Sequence, residues 1–270
     1  MTKVADRHMK ITLKGQSIRL FYALREGKQP PWILIHGMGS SRLAYRPMME
    51  RWPLNSAVYA MDLPGFGGSG SLKTPHQMDD YVAAVGAFID HLHLKEPLLL
   101  GHSFGGMVAG EVLGMLASRV GGAVLVSSAG FFAPQHAMSP TPYPLINRIA
   151  IWITGWQHFG LRMVHALGVD PRTLTRQDRK RLQYGWRHAI EMARMRTFYE
   201  DSQFLEKILA AKRPVALIHG DRDPLFPLPN LCQVVGDSLP LWVMPEAGHL
   251  PYDKDLEGFL KILAEAINNF

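Results

Sequence analysis

What the chain lacks narrows it first. It carries a single cysteine, Cys232, in 270 residues. No disulfide can form within it, and a reducing, cytoplasmic setting is the expectation. Residues 1–14 mix charged with apolar side chains and contain no uncharged apolar core, so no secretory leader is expected. The most apolar stretch, 97–133, is interrupted by Glu111 and Arg119 and is rich in Gly and Ser. It reads as buried strand, helix and strand, not as a transmembrane segment. There is no internal repeat and no low-complexity tract. No metal-ligand spacing and no phosphate loop appears, so neither metal nor cofactor is expected. No nucleic-acid-binding motif is present.

What is there is an ordinary globular balance, 47% hydrophobic and 19% charged. The length suits one large α/β domain or one with an insertion. The net charge of +6 is unevenly placed. Residues 131–213 hold 13 Lys/Arg against 6 Asp/Glu, while the remainder holds 16 against 17. That asymmetry marks the middle segment as a separate structural unit.

Alternating apolar and polar residues at Lys10–Lys14 and Ser17–Leu24 flank Gly15-Gln16 and predict a β-hairpin. Six short apolar runs follow: 32–35, 57–61, 98–100, 123–127, 215–218 and 241–244. They are separated by helical stretches, which predicts a parallel sheet covered on both faces. Helices are expected over 77–93, 104–118 and 256–268. Residues 131–213 break this rhythm between the sixth and seventh strands. A proline-rich entry (Pro134, Pro140, Pro142, Pro144) leads to helix-like stretches at 145–156, 159–167, 177–199 and 203–211. The expected layout is a core of 1–130 and 214–270 with a helical cap at 131–213.

Chemistry gathers at the strand ends. Gly101-His102-Ser103-Phe104-Gly105 stands between the fifth strand and a small-residue helix, the setting of a nucleophile elbow. At its apex Ser103 would sit at positive φ, strain that persists mainly where function needs it. His36-Gly37-Met38-Gly39 ends the third strand, Asp62–Gly67 the fourth, Gly220–Asp223 the seventh, and Gly248-His249 follows the eighth. In an open α/β sheet the ligand site lies outside the carboxyl ends of the strands, so these groups converge on one edge. A serine hydroxyl needs an adjacent base, and His249 is the candidate. Asp221 and Asp223 both qualify as the acid that orients it.

In the order nucleophile, acid, histidine, these motifs resemble the α/β-hydrolase superfamily, of the capped esterase/lipase and carbon–carbon hydrolase type. The resemblance covers nearly the whole chain. It implies Ser103 as nucleophile, His249 as base and Asp223, third after the glycine, as the acid. It implies backbone N–H donors of Met38 and Phe104 for the oxyanion, each contributing about 3 kcal/mol to the transition state. A serine at this position excludes the aspartate- and cysteine-nucleophile relatives. Relatives that hydrolyse carbon–carbon bonds often carry Asn where His102 stands. The expectation is therefore a serine hydrolase of small to medium apolar esters. The alternatives are carbon–carbon hydrolysis of ring-cleavage products, or perhydrolase or acyl-transfer chemistry on the same triad. A non-catalytic binding protein on this fold is disfavoured because every triad position is filled.

Around this centre, Gly37 and Gly39 let the backbone approach substrate, and Trp152, Trp156 and Tyr199 are candidate pocket residues. His102 is included with them, although His36 and His102 also read as braces of their loops. The aromatic and Met content of 131–213 implies an apolar acyl or aryl pocket. Arg172, Arg176, Arg179, Lys180, Arg181 and Arg187 read as a solvated helix face, with attraction to an anionic lipid surface or an acidic substrate as the weaker reading. Asp62 reads as a structural turn residue, and Cys232 as a buried small residue. Oligomeric state is left open.

Overall fold

A computed structural model describes residues 3–134, 201 and 203–270. The candidate pocket residues Trp152, Trp156 and Tyr199, the arginine-rich cluster and most of the expected cap lie outside the described residues.

The hairpin pairs β1 (Val4–Leu13) with β2 (Gln16–Arg25) from Val4↔Arg25 to Leu13↔Gln16. Its turn is Lys14-Gly15, one residue earlier than the sequence suggested. Both turn residues have positive φ, 47° and 72°, as a two-residue hairpin turn with the sheet's twist requires. β1 also begins six residues before the alternation did. Asp6, Arg7 and His8 are three exposed polar residues in a row and hide the strand's period.

Past the hairpin the strands are parallel. β3 (Lys28–Ile35) runs beside β4 (Ser56–Met61) and beside β5 (Leu98–His102), which pairs with β6 (Gly122–Val126). Then come β7 (Val215–Gly220) and β8 (Leu241–Met244). The sheet has eight strands in the order β1-β2-β4-β3-β5-β6-β7-β8. Alternate residues feed two cores. Ile33, Ile35, Leu99, Leu125 and Leu217 face one side, where they meet α2 (Met78–His91) and α3 (Phe104–Met115). Trp32, Leu34, Leu100, Val124 and Ile218 face the other, with Met48 and Met49 of α1 (Arg46–Glu50). β8 departs from the fully buried pattern: it is the sheet's edge, and Val243 is exposed.

The Asp201 N–H donates to the Gly130 carbonyl at 3.0 Å. The helix expected at 203–211 within the cap is α4 (Phe204–Ala210), and it packs in the main core. Phe204 and Ile208 lie four apart on one face. The Phe204 ring meets Phe131 edge-on at 5.0 Å and covers Gly110 of α3. Lys207 on α4 pairs with the buried Glu111 of α3 and with Asp201. The described end of the 131–213 segment therefore belongs to the layer covering the sheet. Burial alone would raise Glu111 further, and Lys207 limits the rise.

The remaining helices are α5 (Leu228–Val235), α6 (Pro251–Lys254) and α7 (Leu256–Ala266). Cys232 on α5 is exposed, contrary to the buried position expected of it. Leu231 and Val235 are the buried pair of that helix. Among the described residues no helix is long and apolar enough to cross a membrane.

Candidate active site

The elbow is built by crowding. A Cβ on Gly101 would run into the Gly105 carbonyl, and one on Gly105 would run into the end of β3 at Ile35. With glycine at both places β5 can turn directly into α3, and the residue between takes the strain. Ser103 has φ 54° and ψ −119°. Its N–H donates to the Val126 carbonyl at 2.9 Å, and its own carbonyl accepts from Gly106 and Ala129 at 2.9 and 3.1 Å. These bonds over-determine the strained backbone.

His249 sits on the loop after β8 and is 1% exposed. Its Nδ1–H donates to Asp223 Oδ2 at 2.9 Å. The other carboxylate oxygen, Oδ1, accepts the N–H groups of Leu225 and Phe226 at 2.9 and 3.0 Å. Burial would raise the Asp223 acid. The hydrogen bond and charge of His249, the Phe226 N–H and nearby His219 outweigh it, and the carboxyl is held below its ordinary value. Asp221 is exposed, and its N–H ties the loop to Met244. Of the two candidate acids, Asp223 faces the histidine.

His102 braces the loop that carries His249. It is 4% exposed, and its Nε2–H donates to the His249 carbonyl at 2.7 Å. Its ring packs 4.9 Å from that of His249 and edge-on to Tyr252 at 5.4 Å. Desolvation, helped by the neighbouring His249, pushes its pKa down to about 3, so it stays a neutral brace. Its position one residue before Ser103 ties the His249 loop to the elbow.

The loop after β3 lies against the same place. A Cβ on Gly37 would stand 2.8 Å from His102 Nδ1 and 3.3 Å from Ser103 Cβ, so only glycine fits there. His36 bonds the Gly37 carbonyl through Nδ1 at 2.8 Å and accepts the Leu63 N–H at Nε2, 3.1 Å. Burial lowers its pKa, which preserves that tautomer. Met38 is half-buried at this turn, Gly39 follows at φ 74°, and Phe104 opens α3. The first-turn N–H groups of a helix point out of its N-terminal end. Asp62 is fully buried and accepts from Arg42 N at 2.6 Å and Gly68 N at 2.7 Å, besides pairing with the Arg42 guanidinium.

Three contributors lie outside the sequence motifs. Arg42 bridges Asp62 to Asp6, which also holds Arg46, and so clamps the loop after β3 to β1. Tyr45 donates to the Ile35 carbonyl at 2.9 Å and fixes the strand end. The Phe226 ring lies 5.6 Å from the His249 ring and meets Phe132 edge-on at 5.7 Å. The partners of Arg42 are 20 and 36 positions away, so no local pattern signals them; Phe226 follows the Gly220–Asp223 run and could have been found by proximity to it. Among the described residues, no group of three or more His, Cys, Asp or Glu side chains is arranged to hold a metal ion.

A model of the alpha/beta hydrolase family matches residues 32–262, most of the chain and every motif of the strand ends. The chain belongs to the alpha/beta hydrolase family. This alpha/beta hydrolase is 27% identical over 274 residues to a poly(3-hydroxyalkanoate) depolymerase of Ectopseudomonas oleovorans, covering 95% of this chain and 88% of that protein. It is 27% identical over 256 residues to the dihydrolipoyllysine-residue acetyltransferase component of the acetoin cleaving system of Pseudomonas putida. That match covers 89% of this chain and 64% of the relative, so the hydrolase spans less than two thirds of that protein. Among solved structures, a thermophilic esterase from Thermogutta terrifontis shares its fold with a TM-score of 0.77 at 20% identity, covering 97% of this chain and 98% of the other.

Proposed function

We propose that this alpha/beta hydrolase cleaves carboxylic esters of small to medium apolar substrates through a covalent acyl-enzyme. The observation that carries the reading is the buried bond from His249 Nδ1–H to Asp223 Oδ2 at 2.9 Å, on a loop tied by His102 to the strained Ser103. With Nδ1 engaged, His249 keeps Nε2 as the basic nitrogen.

In this reading Ser103 Oγ attacks the ester carbonyl carbon while His249 Nε2 takes its proton. The negative charge that develops on the carbonyl oxygen is met by the Met38 and Phe104 N–H groups. Collapse breaks the carbon–oxygen bond, and the proton passes from His249 to the leaving alcohol. Water then attacks the acyl-serine, giving its proton to Nε2, and the acid leaves as Ser103 recovers its proton. Asp223 holds the imidazole's tautomer and stabilises the imidazolium. The Phe226 ring beside His249, with the Phe132 ring packed against it, supports an apolar substrate. The names of the depolymerase relative and of the esterase of similar fold support ester chemistry. The single cysteine supports a cytoplasmic setting.

A p-nitrophenyl ester series from acetate to palmitate, run with the wild type and Ser103→Ala, tests the proposal. Turnover that peaks at one chain length and disappears in the variant is expected. Labelling of Ser103 by a fluorophosphonate with no Ser103-dependent turnover of any ester would overturn ester hydrolysis and favour carbon–carbon hydrolysis or acyl transfer.

A further inference from the structure

His219 lies in β7, one position before Gly220, and is 1% exposed. Its Nε2 is 2.6 Å from the Phe226 carbonyl oxygen and 3.7 Å from Asp223 Oδ2. A carbonyl and a carboxylate only accept, so Nε2 carries the proton and the ring is held in one tautomer. Among the described residues, Nδ1 is buried without a hydrogen-bond partner. A proton added there would be a buried, unpaired charge, and burial accordingly holds the pKa of the ring down.

Phe226 is the residue through which this bond acts. Its N–H and that of Leu225 grip Asp223 Oδ1. Its carbonyl is gripped by His219, and its ring lies along His249. The turn from Asp223 to Phe226 thus points one carboxylate oxygen inward and leaves Oδ2 for His249. Without the His219 donor, the buried Phe226 carbonyl loses its partner and the turn loses what fixes it against β7.

We propose that His219 is a positioning residue for the Asp223–His249 pair. Its Nε2–H locks Phe226, and through Phe226 it sets both the orientation of the carboxylate and the packing face of the imidazole. The inference rests on the roles proposed above for Ser103, Asp223 and His249. The titratable groups facing this cluster are Asp223 on the loop after β7, His249 on the loop after β8, His102 from β5 and, behind it, His36 from the end of β3.

The test compares the full chain with His219→Phe, which keeps a ring and removes the donor, and His219→Gln, which returns an amide N–H near the place of Nε2. Two readouts are taken: the pH profile of p-nitrophenyl butyrate turnover, and the downfield proton resonance of the His249–Asp223 hydrogen bond in the resting protein. In His219→Phe, kcat is expected to fall roughly ten- to a hundredfold with KM changed by less than about twofold. The acid limb of kcat/KM moves to lower pH as His249 loses its oriented carboxylate, and the resonance weakens. His219→Gln keeps all three near wild type. Wild-type values in His219→Phe overturn the proposal. So do Phe and Gln variants slowed equally with an unshifted limb and an intact resonance, which is a general structural loss. The resonance needs no substrate. Its loss in His219→Phe upholds the positioning role even if the wild type turns over no ester, a result that counts against the ester reading alone.

Discussion

Ser103 holds a backbone conformation that costs a non-glycine residue about 1–3 kcal/mol, and the bonds to Val126, Gly106 and Ala129 keep it there. Alanine at this place removes Oγ and leaves those bonds. Ester turnover of Ser103→Ala is expected to drop by about 10⁴-fold or more with little change in melting temperature, read by steady-state kinetics and calorimetry. Asp223→Asn keeps the shape but can present the wrong partner to His249 Nδ1. Its kcat is expected to fall by about 10⁴-fold. The same cluster sets the acid sensitivity of the fold. His102 titrates near 3 when folded and near 6.5 when free. Between those values the unfolded chain takes a proton that the folded chain refuses, so stability falls as pH drops through that window, by a few kcal/mol. His36 and His219 are shifted in the same direction. Asp223, held below its ordinary carboxylate value, adds to the loss at still lower pH. The denaturant midpoint is expected to be lower at pH 4.5 than at pH 7, and His102→Gln, which cannot take the proton, should narrow that gap.

Among the elements, α4 shows how a helix is fastened to the core. Phe204 is fully buried between α3 and the Gly130 turn. Phe204→Ala is expected to cost about 3–5 kcal/mol, measured by urea unfolding, and to loosen α4 more than the sheet in hydrogen exchange. The apolar stripe of α4, Phe204 and Ile208, is equally consistent with a cap or with the layer on the sheet, and the contact with Gly110 places it against α3. The parallel strands were legible because runs such as Trp32–Ile35 and Val215–Ile218 are apolar without interruption. The start of β1 was not, because Asp6–His8 show no alternation at an edge. The short helices α1, α5 and α6 leave no such signal, because each is brief and led by proline, with too few turns to display a period. Likewise the Asp223–His249 pairing was legible from motifs at strand ends, whereas the clamp of Arg42 on Asp62 and Asp6 exists only once β1, β3 and β4 are brought together.

At the scale of the molecule, the single thiol offers a simple check. Cys232 is exposed on α5, so a thiol reagent is expected to titrate one group per chain in the native state, without denaturant. A thiol that reacts only on unfolding would contradict that placement. A larger consequence attaches to the bond between Asp201 and Gly130. The chain departs from the sheet and comes back to it at points one hydrogen bond apart, so the two ends of the excursion are already stapled by the core itself. Closing such an excursion depends only weakly on its length; doubling it adds about 0.6 kcal/mol of entropy. Residues between these ends can therefore be lengthened, shortened or exchanged for those of another family member while the strand ends that carry Ser103, Asp223 and His249 stay in register. Grafting between Gly130 and Asp201 is thus an exchange between two fixed points of one sheet edge.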